Sequence, residues 1–275
     1  MLNTKVIVIS GFARGGTNIA WNLLQSHPEI CSPIYETGEL FYRSWALWFC
    51  RLLAEQIIDY QRIIDNQLFR FKLLSLKHPD DRFIAEGELY THEQIANTAL
   101  CLKSVNRDIF LTDLLLKVYP DLYFIALTRN GYALVDGYLR RGRTAARVGQ
   151  LYYQISEEMK RYADVILRFK MIKFEDILQN PFEVIEDLST FLDVCPRQLE
   201  KLRFKSKKVI TEQGEHRVIF GKERRKYWFD RESINQILEP NVNQRQIDRL
   251  SDEMIDEFNR EASPALEFFG YEKYG

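Results

Sequence analysis

The chain has 275 residues and a hydrophobic fraction of 46%, enough for one α/β domain with a substantial core. Its 38 basic and 39 acidic residues give a formal net charge of −1, so no global field selects nucleic acid or an anionic membrane. The four cysteines (Cys31, Cys50, Cys101, Cys195) follow no metal-ligand or CxxC spacing. There is no signal-peptide pattern and no apolar run long enough to span a bilayer. These features predict a cytoplasmic, reducing compartment in which Cys50 and Cys101 are reduced core residues.

Lys5–Ser10 is an apolar run rich in β-branched residues and reads as a buried strand. The turn Gly11-Phe-Ala-Arg-Gly-Gly-Thr17 follows it, and then apolar residues at helical spacing. A strand, a glycine-rich turn and a helix N-terminus make an anion site, because the backbone approaches the ligand and the first helical N–H groups point at it. A Walker loop ends in Gly-Lys-[Ser/Thr]. Here Thr17 follows Gly16 directly, and the basic residue comes earlier, at Arg14.

The first helix stops near Ser26-His27-Pro28, since proline disfavours helix in the residue before it. Leu40–Leu76 is helical in period, with Phe41, Trp45, Trp48, Phe49, Leu52, Leu53, Ile57 and Ile64 as an apolar stripe expected in the core. A polar turn follows at Lys77–Arg82. Ala99–Lys103 reads as a second buried strand, Asp108–Val118 as a helix and Leu122–Thr128 as a third strand. Tyr132–Arg140 and Val148–Tyr162 are predicted helices, Arg168–Phe174 a short strand, and Pro181–Leu192 a helix opened by proline in its first turn. Strands alternating with helices predict a three-layer α/β fold, a mainly parallel sheet with helices on both faces. Ligands of such sheets sit at the carboxyl ends of the strands. That singles out three loops: Gly11–Thr17, Lys103–Arg107 and Arg129–Gly131.

Those loops carry a family likeness. Gly11–Thr17 with His27-Pro28 downstream resembles the opening of the sulfotransferases that use 3′-phosphoadenosine-5′-phosphosulfate (PAPS), its Gly-Gly-Thr form being similar to the heparan-type enzymes. Cys101-Leu-Lys103, a helix and then Tyr119-Pro120-Asp121 resemble the family's second, lysine-bearing strand end. Phe124-Ile-Ala-Leu-Thr-Arg129-Asn-Gly131 resembles its 3′-phosphate strand. Lys173-Phe-Glu-Asp176 through Asn180-Pro181 to Phe191-Leu192 is similar to its Tyr-Glu-Asp-Leu…Pro…Phe-Leu segment. The four motifs stand in family order over roughly residues 5–195.

The resemblance implies a P-loop-like sulfotransferase fold in a single domain over residues 1–275, with a helical acceptor-side insertion around residues 40–97. It implies sulfuryl transfer from PAPS to a hydroxyl or amine of a small-molecule, carbohydrate or lipid acceptor, with no metal. Ala13, Arg14, Gly15, Gly16, Thr17 and Asn18 would cradle the 5′-phosphosulfate, with Arg14 and Lys103 neutralising the sulfuryl charge. Arg129 would hold the 3′-phosphate. The family's partner serine falls at Asp136 or Gly137 here, and Arg140 or Arg141 could compensate. Phe174 is a candidate adenine contact. Lys222, in the basic segment Arg217–Arg225, would close over the nucleotide. The general base is Glu36 or Glu39; Gly38 between them argues against a helix carrying both. His27 ends a helix rather than acting as a base. Two further readings of the residues stay open: a P-loop-type kinase, opposed by the missing Walker lysine, and a non-catalytic nucleotide-binding member of the fold.

Overall fold

The computed structural model describes residues 5–33, 35–53, 56, 57, 59–74, 92–195, 199–204 and 227–274. In chain order the elements are β1 (Val6–Gly11), α1 (Thr17–Leu24), β2 (Ile30–Cys31), α2 (Thr37–Arg43), α3 (Trp45–Leu53), α4 (Tyr60–Leu74), α5 (His92–Asn97) and β3 (Ala99–Val105). A 3-10 turn at Asn106–Phe110 leads into α6 (Leu111–Val118), β4 (Tyr123–Thr128), α7 (Gly131–Leu139), α8 (Ala145–Val165), β5 (Phe169–Lys173), α9 (Phe174–Gln179) and α10 (Pro181–Phe191). The chain ends with β6 (Leu202–Phe204), β7 (Tyr227–Phe229), α11 (Arg231–Ile234), α12 (Val242–Ile247) and α13 (Asp252–Phe269).

β1 is buried along its whole length because it is central: the sheet order is β2-β3-β1-β4-β5, and every pairing in it is parallel. Side chains that alternate along a strand go to opposite faces, and the two faces build separate cores. Val6, Val8, Leu100, Leu102, Phe124 and Ala126 enter one core, closed by helices including α2, α4, α6, α7, α8 and α13. Ile7, Ile9, Cys101, Ile125 and Leu127 enter the other, closed by α1, α9, α10 and β6. Covered on both sides, these strands show the unbroken apolar runs typical of buried parallel sheets. Three layers of α/β architecture result, as the sequence predicts.

The aromatic stretch departs from expectation. It is not one helix over 40–76 but three, broken at Ser44, which has an extended backbone, and again before Tyr60. Phe41, Leu47, Cys50, Ile64 and Leu68 are buried, whereas Trp45 is 76% and Leu52 56% exposed. A break in the helix rotates the stripe out of phase with the core, so half of it faces outward. The helix expected at 108–118 begins as the 3-10 turn. Of the cysteines, Cys31, Cys50 and Cys101 are buried and Cys195 is exposed; burial pushes the Cys101 thiol up to about 12. No described helix is long and apolar enough to cross a membrane. The polar turn at 77–82 and the basic segment holding Lys222 lie outside the described residues.

Candidate active site

The strand order puts the ends of β3, β1 and β4 side by side, so the three loops singled out in the sequence converge. The turn after β1 is held from both flanks. Asn106, following β3, accepts the Ala13 N–H on Oδ1 at 2.9 Å. Arg129, following β4, donates from Nη1 to the Arg14 carbonyl at 2.5 Å. Arg14 has a left-handed backbone (φ 67°), strain of the kind that surrounding structure must over-determine. Gly16 is left-handed too (φ 86°), and a Cβ there would lie 2.1 Å from the Phe174 ring. Only glycine satisfies both conditions. α1 then starts with no side-chain cap; the Ile19 N–H bonds back to the Gly16 carbonyl at 2.8 Å, and a helix N-terminus without a side-chain cap favours an anion. No group of three or more His, Cys, Asp or Glu among the described residues is arranged to hold a metal ion.

On the β3 side lies Lys103, only 2% exposed. Its Nζ contacts Glu36 Oε1 at 2.6 Å, donates to Asn18 Oδ1 at 2.5 Å and stands 4.5 Å from the centre of the Trp21 ring. A buried ammonium needs such partners, and the sequence-predicted Lys103, Glu36 and Asn18 supply them to one another. Glu36 is also the N-cap of α2 in a capping box: its side chain accepts the Glu39 N–H, and the Glu39 carboxylate accepts the Glu36 N–H at 3.2 Å. The segment is therefore helical, against the expectation drawn from Gly38. The reason is Asp108, whose Oδ2 accepts the Gly38 N–H at 3.2 Å; a Cβ on Gly38 would lie 2.4 Å from that carboxylate. Burial, with Glu36 and Glu39 nearby, raises the Asp108 carboxyl above its usual range, opposed by the Gly38 N–H.

On the β4 side the Arg14 side chain packs beside α7, where a Cβ on Gly137 would lie 3.3 Å from Arg14 Cβ. Desolvation and the charges of Arg141 and Arg140 lower the Arg14 pKa, with Asp136 opposing. Arg129 is 6% exposed and heavily engaged. Nε and Nη2 donate to Asn243 Oδ1 at 2.9 and 2.7 Å, and Nη2 also donates to Gln246 Oε1 at 2.5 Å. Burial lowers its pKa to about 10, with Glu175 opposing. Glu175 accepts from the Asn130 N–H, from Asn243 and from the Tyr271 hydroxyl. The Asp136 Oδ2 accepts from Arg140 Nη2 at 2.5 Å and Gln246 Nε2 at 3.0 Å, with Arg249 at 3.7 Å. Phe174 is buried between Gly16 and the Arg129 guanidinium, 4.6 Å from its ring centre. His27 is buried against the Cys195 carbonyl at 2.7 Å, in a structural position.

Sequence reasoning missed Asp108, Glu175, Asn243 and Gln246. Glu175 stood inside the quoted Lys173-Phe-Glu-Asp176 motif, at a strand-to-helix junction. Asn243 and Gln246 lie more than a hundred residues from Arg129, and two amides three apart are too common to signal anything.

The sulfotransferase family profile matches residues 6–195. No curated protein matches the chain significantly. Among solved structures, the sulfotransferase domain of the Synechococcus PCC 7002 olefin synthase is 14% identical with a TM-score of 0.58, over 99% of this chain and 97% of that one. The sulfotransferase domain of the curacin biosynthetic pathway is 15% identical with a TM-score of 0.52, over all of both chains. Those two likenesses are of fold. With the profile covering well over half of its length, the chain belongs to the sulfotransferase family.

Proposed function

We propose that this chain transfers the sulfuryl group of PAPS to a hydroxyl or amine of a small-molecule acceptor, a carbohydrate or lipid. The observation that carries the reading is the ion pair of buried Lys103 with half-buried Glu36 beside the glycine turn. It sets a cation for the transferring group beside a carboxylate for the acceptor proton. The first turn of α1 supports donor binding there, because a helix N-terminus that no side chain caps suits a phosphosulfate. Gly15, Gly16, Thr17 and Asn18 would hold the 5′ end.

Bound PAPS supplies an activated sulfur: the acceptor oxygen or nitrogen bonds to it in line as the bond to the bridging phosphate oxygen breaks. By analogy with phosphoryl transfer, the protein contributes positioning and electrostatic stabilisation. Lys103 exchanges its contact with Glu36 for the negative oxygens of the donor. That exchange frees Glu36 Oε1 to take the acceptor's proton as general base. Glu39, exposed and turned back on the N–H of Glu36, holds the helix start that aims Glu36. Asp108 seats the same helix start through Gly38.

The test pairs binding with turnover. Adenosine 3′,5′-bisphosphate should raise Tm by mass action where ATP with Mg²⁺ does not, and label from ³⁵S-PAPS should reach an acceptor in a screen of alcohols, sugars and amines. Stabilisation by ATP–Mg²⁺ alone would favour a kinase. Bisphosphate binding with no transfer to any acceptor class would favour a non-catalytic nucleotide binder.

A further inference from the structure

A cavity of about 540 Å³ lies between the end of α3 and the run from the 3-10 turn into α6, within the range of small-ligand pockets, about 300–1,000 Å³. Arg107, Phe110, Leu114 and Lys117 form one wall. Their three- and four-residue spacing puts them on one helical face, which extends for about 15 Å at the rise of a helix. Leu52 and Leu53 stand on the other wall with Arg51. Phe110, Leu52 and Leu53 are all exposed, so the cavity offers apolar surface that the fold itself does not cover.

Its polar groups are cationic. Arg51 and Arg107 are exposed, and neither guanidinium has a hydrogen bond or ion pair among the described residues. The carboxylate lining the cavity is Asp113, and both of its oxygens already accept from Arg161 Nη2 at 2.9 Å. An acid group would therefore find two guanidiniums with open donors and no free carboxylate opposing it. A sugar would set hydroxyls against Leu52, Leu53 and Leu114, which return no hydrogen bond.

Both arginines are tied to α2, the helix that Glu36 caps. The Arg51 guanidinium stands over the Tyr42 ring, 5.0 Å from its centre. Arg107 precedes Asp108, whose Oδ2 accepts the Gly38 N–H at 3.2 Å, two residues from Glu36. The arginine end of the cavity is thus the end connected to the proposed base.

We infer that this cavity is the acceptor site and that the acceptor is an anionic amphiphile, a hydroxy acid with a long apolar body. Arg51 and Arg107 hold the acid group, and the apolar body lies along Phe110, Leu114, Leu52 and Leu53. The acceptor hydroxyl oxygen bonds to sulfur, the bond from sulfur to the bridging phosphate oxygen breaks, and the hydroxyl proton passes to Glu36. The inference rests on the reading of the chain as a PAPS enzyme and narrows its acceptor.

The experiment has a binding arm and a transfer arm, both on the full chain. In calorimetry below the micellar concentration, dodecanoate should bind, with methyl dodecanoate and hexanoate at least tenfold weaker, the first for want of the charge and the second for want of apolar area. Arg51→Ala and Arg107→Ala should each weaken dodecanoate about tenfold or more, the scale of a lost charge-assisted hydrogen bond. Leu52→Asp should do the same, and because all three side chains are exposed, Tm should hold. With ³⁵S-PAPS, hydroxydodecanoates should take the label in preference to 1-dodecanol and glucose, dodecanoate should compete with them, and Arg107→Ala should raise their KM while adenosine 3′,5′-bisphosphate affinity is kept. Equal dodecanoate affinity in wild type, Arg107→Ala and Leu52→Asp would overturn the site. Label reaching glucose or 1-dodecanol as readily as the hydroxy acids, or no competition by dodecanoate, would overturn the acceptor assignment and leave the PAPS reading standing. If the bisphosphate does not bind, or no acceptor of any class takes the label, that reading falls and takes the assignment with it.

Discussion

Glu36→Gln tests the proposed chemistry at its centre. Gln keeps the shape and the carbonyl that accepts the Glu39 N–H, so the capping box persists. It removes the proton acceptor and the negative charge 2.6 Å from Lys103. A general base contributes about 10²–10⁴-fold, so kcat should fall by that factor, about 3–5 kcal/mol of barrier. The stability cost is smaller. Breaking a buried pair costs about 3–5 kcal/mol, but the Glu36 side chain is 37% exposed and Asn18 still accepts from Lys103. That lowers the expectation to about 1–2 kcal/mol, or roughly 2–8 °C in Tm for a domain of this size. Nucleotide affinity should move the other way, because Lys103 no longer has to leave a carboxylate. The assays are single-turnover transfer from labelled PAPS, calorimetry with adenosine 3′,5′-bisphosphate, and thermal melting. A kcat within about fivefold of wild type would refute the base assignment. Clearly weakened bisphosphate binding would refute the exchange of Lys103 between Glu36 and the donor.

Three further outcomes follow from the geometry. The folded-state pKa of Asp108 is raised, so its charged form destabilises the fold, and this penalty is present above the folded pKa and absent once the group is protonated; Asp108→Asn should raise Tm at pH 7 and lose the gain below about pH 4. Gly16→Ala puts a methyl 2.1 Å from the Phe174 ring on a left-handed backbone, and roughly 2–5 kcal/mol of strain and overpacking should lower Tm by more than about 5 °C; a full-sized drop in the Gly16→Ala/Phe174→Leu double variant would show that the ring is not the obstacle. Of the four cysteines, Cys195 alone is exposed, so native protein should take up one maleimide by mass spectrometry and denatured protein four; a second fast adduct would contradict the burial of Cys31, Cys50 or Cys101.

What could be read from the residues tracks what local physics determines. β1, β3 and β4 were visible because a parallel strand covered on both faces writes an unbroken apolar run. The turn at Gly11–Thr17 was visible because its glycines meet backbone requirements fixed within a few residues. Lys103, Glu36 and Asn18 were each singled out, but their mutual bonding was not, since it depends on β3 lying beside β1. The α2 start shows the limit most clearly. Gly38 carries a low intrinsic helix preference, and the interaction that overrides it comes from Asp108, seventy residues away. The exposed Trp45 and Leu52 mark the same limit: a periodic stripe gives the phase of a helix but not where the chain breaks it.

β1 divides the site. Lys103 and Glu36 stand on the β3 flank and Arg129 and the arginines of α7 on the β4 flank, and the Gly11–Asn18 segment and the Tyr138 hydroxyl, which donates to Asn106 Oδ1 at 2.9 Å, link the two sides. Energetic effects at sites that share no partners add. On the proposed reading, substitutions in α2 away from Glu36 can change the acceptor while the nucleotide contacts of the β4 flank stay in place, and combined variants from the two flanks should show near-zero coupling. A fold divided in this way is a natural starting point for engineering new acceptors onto a fixed donor.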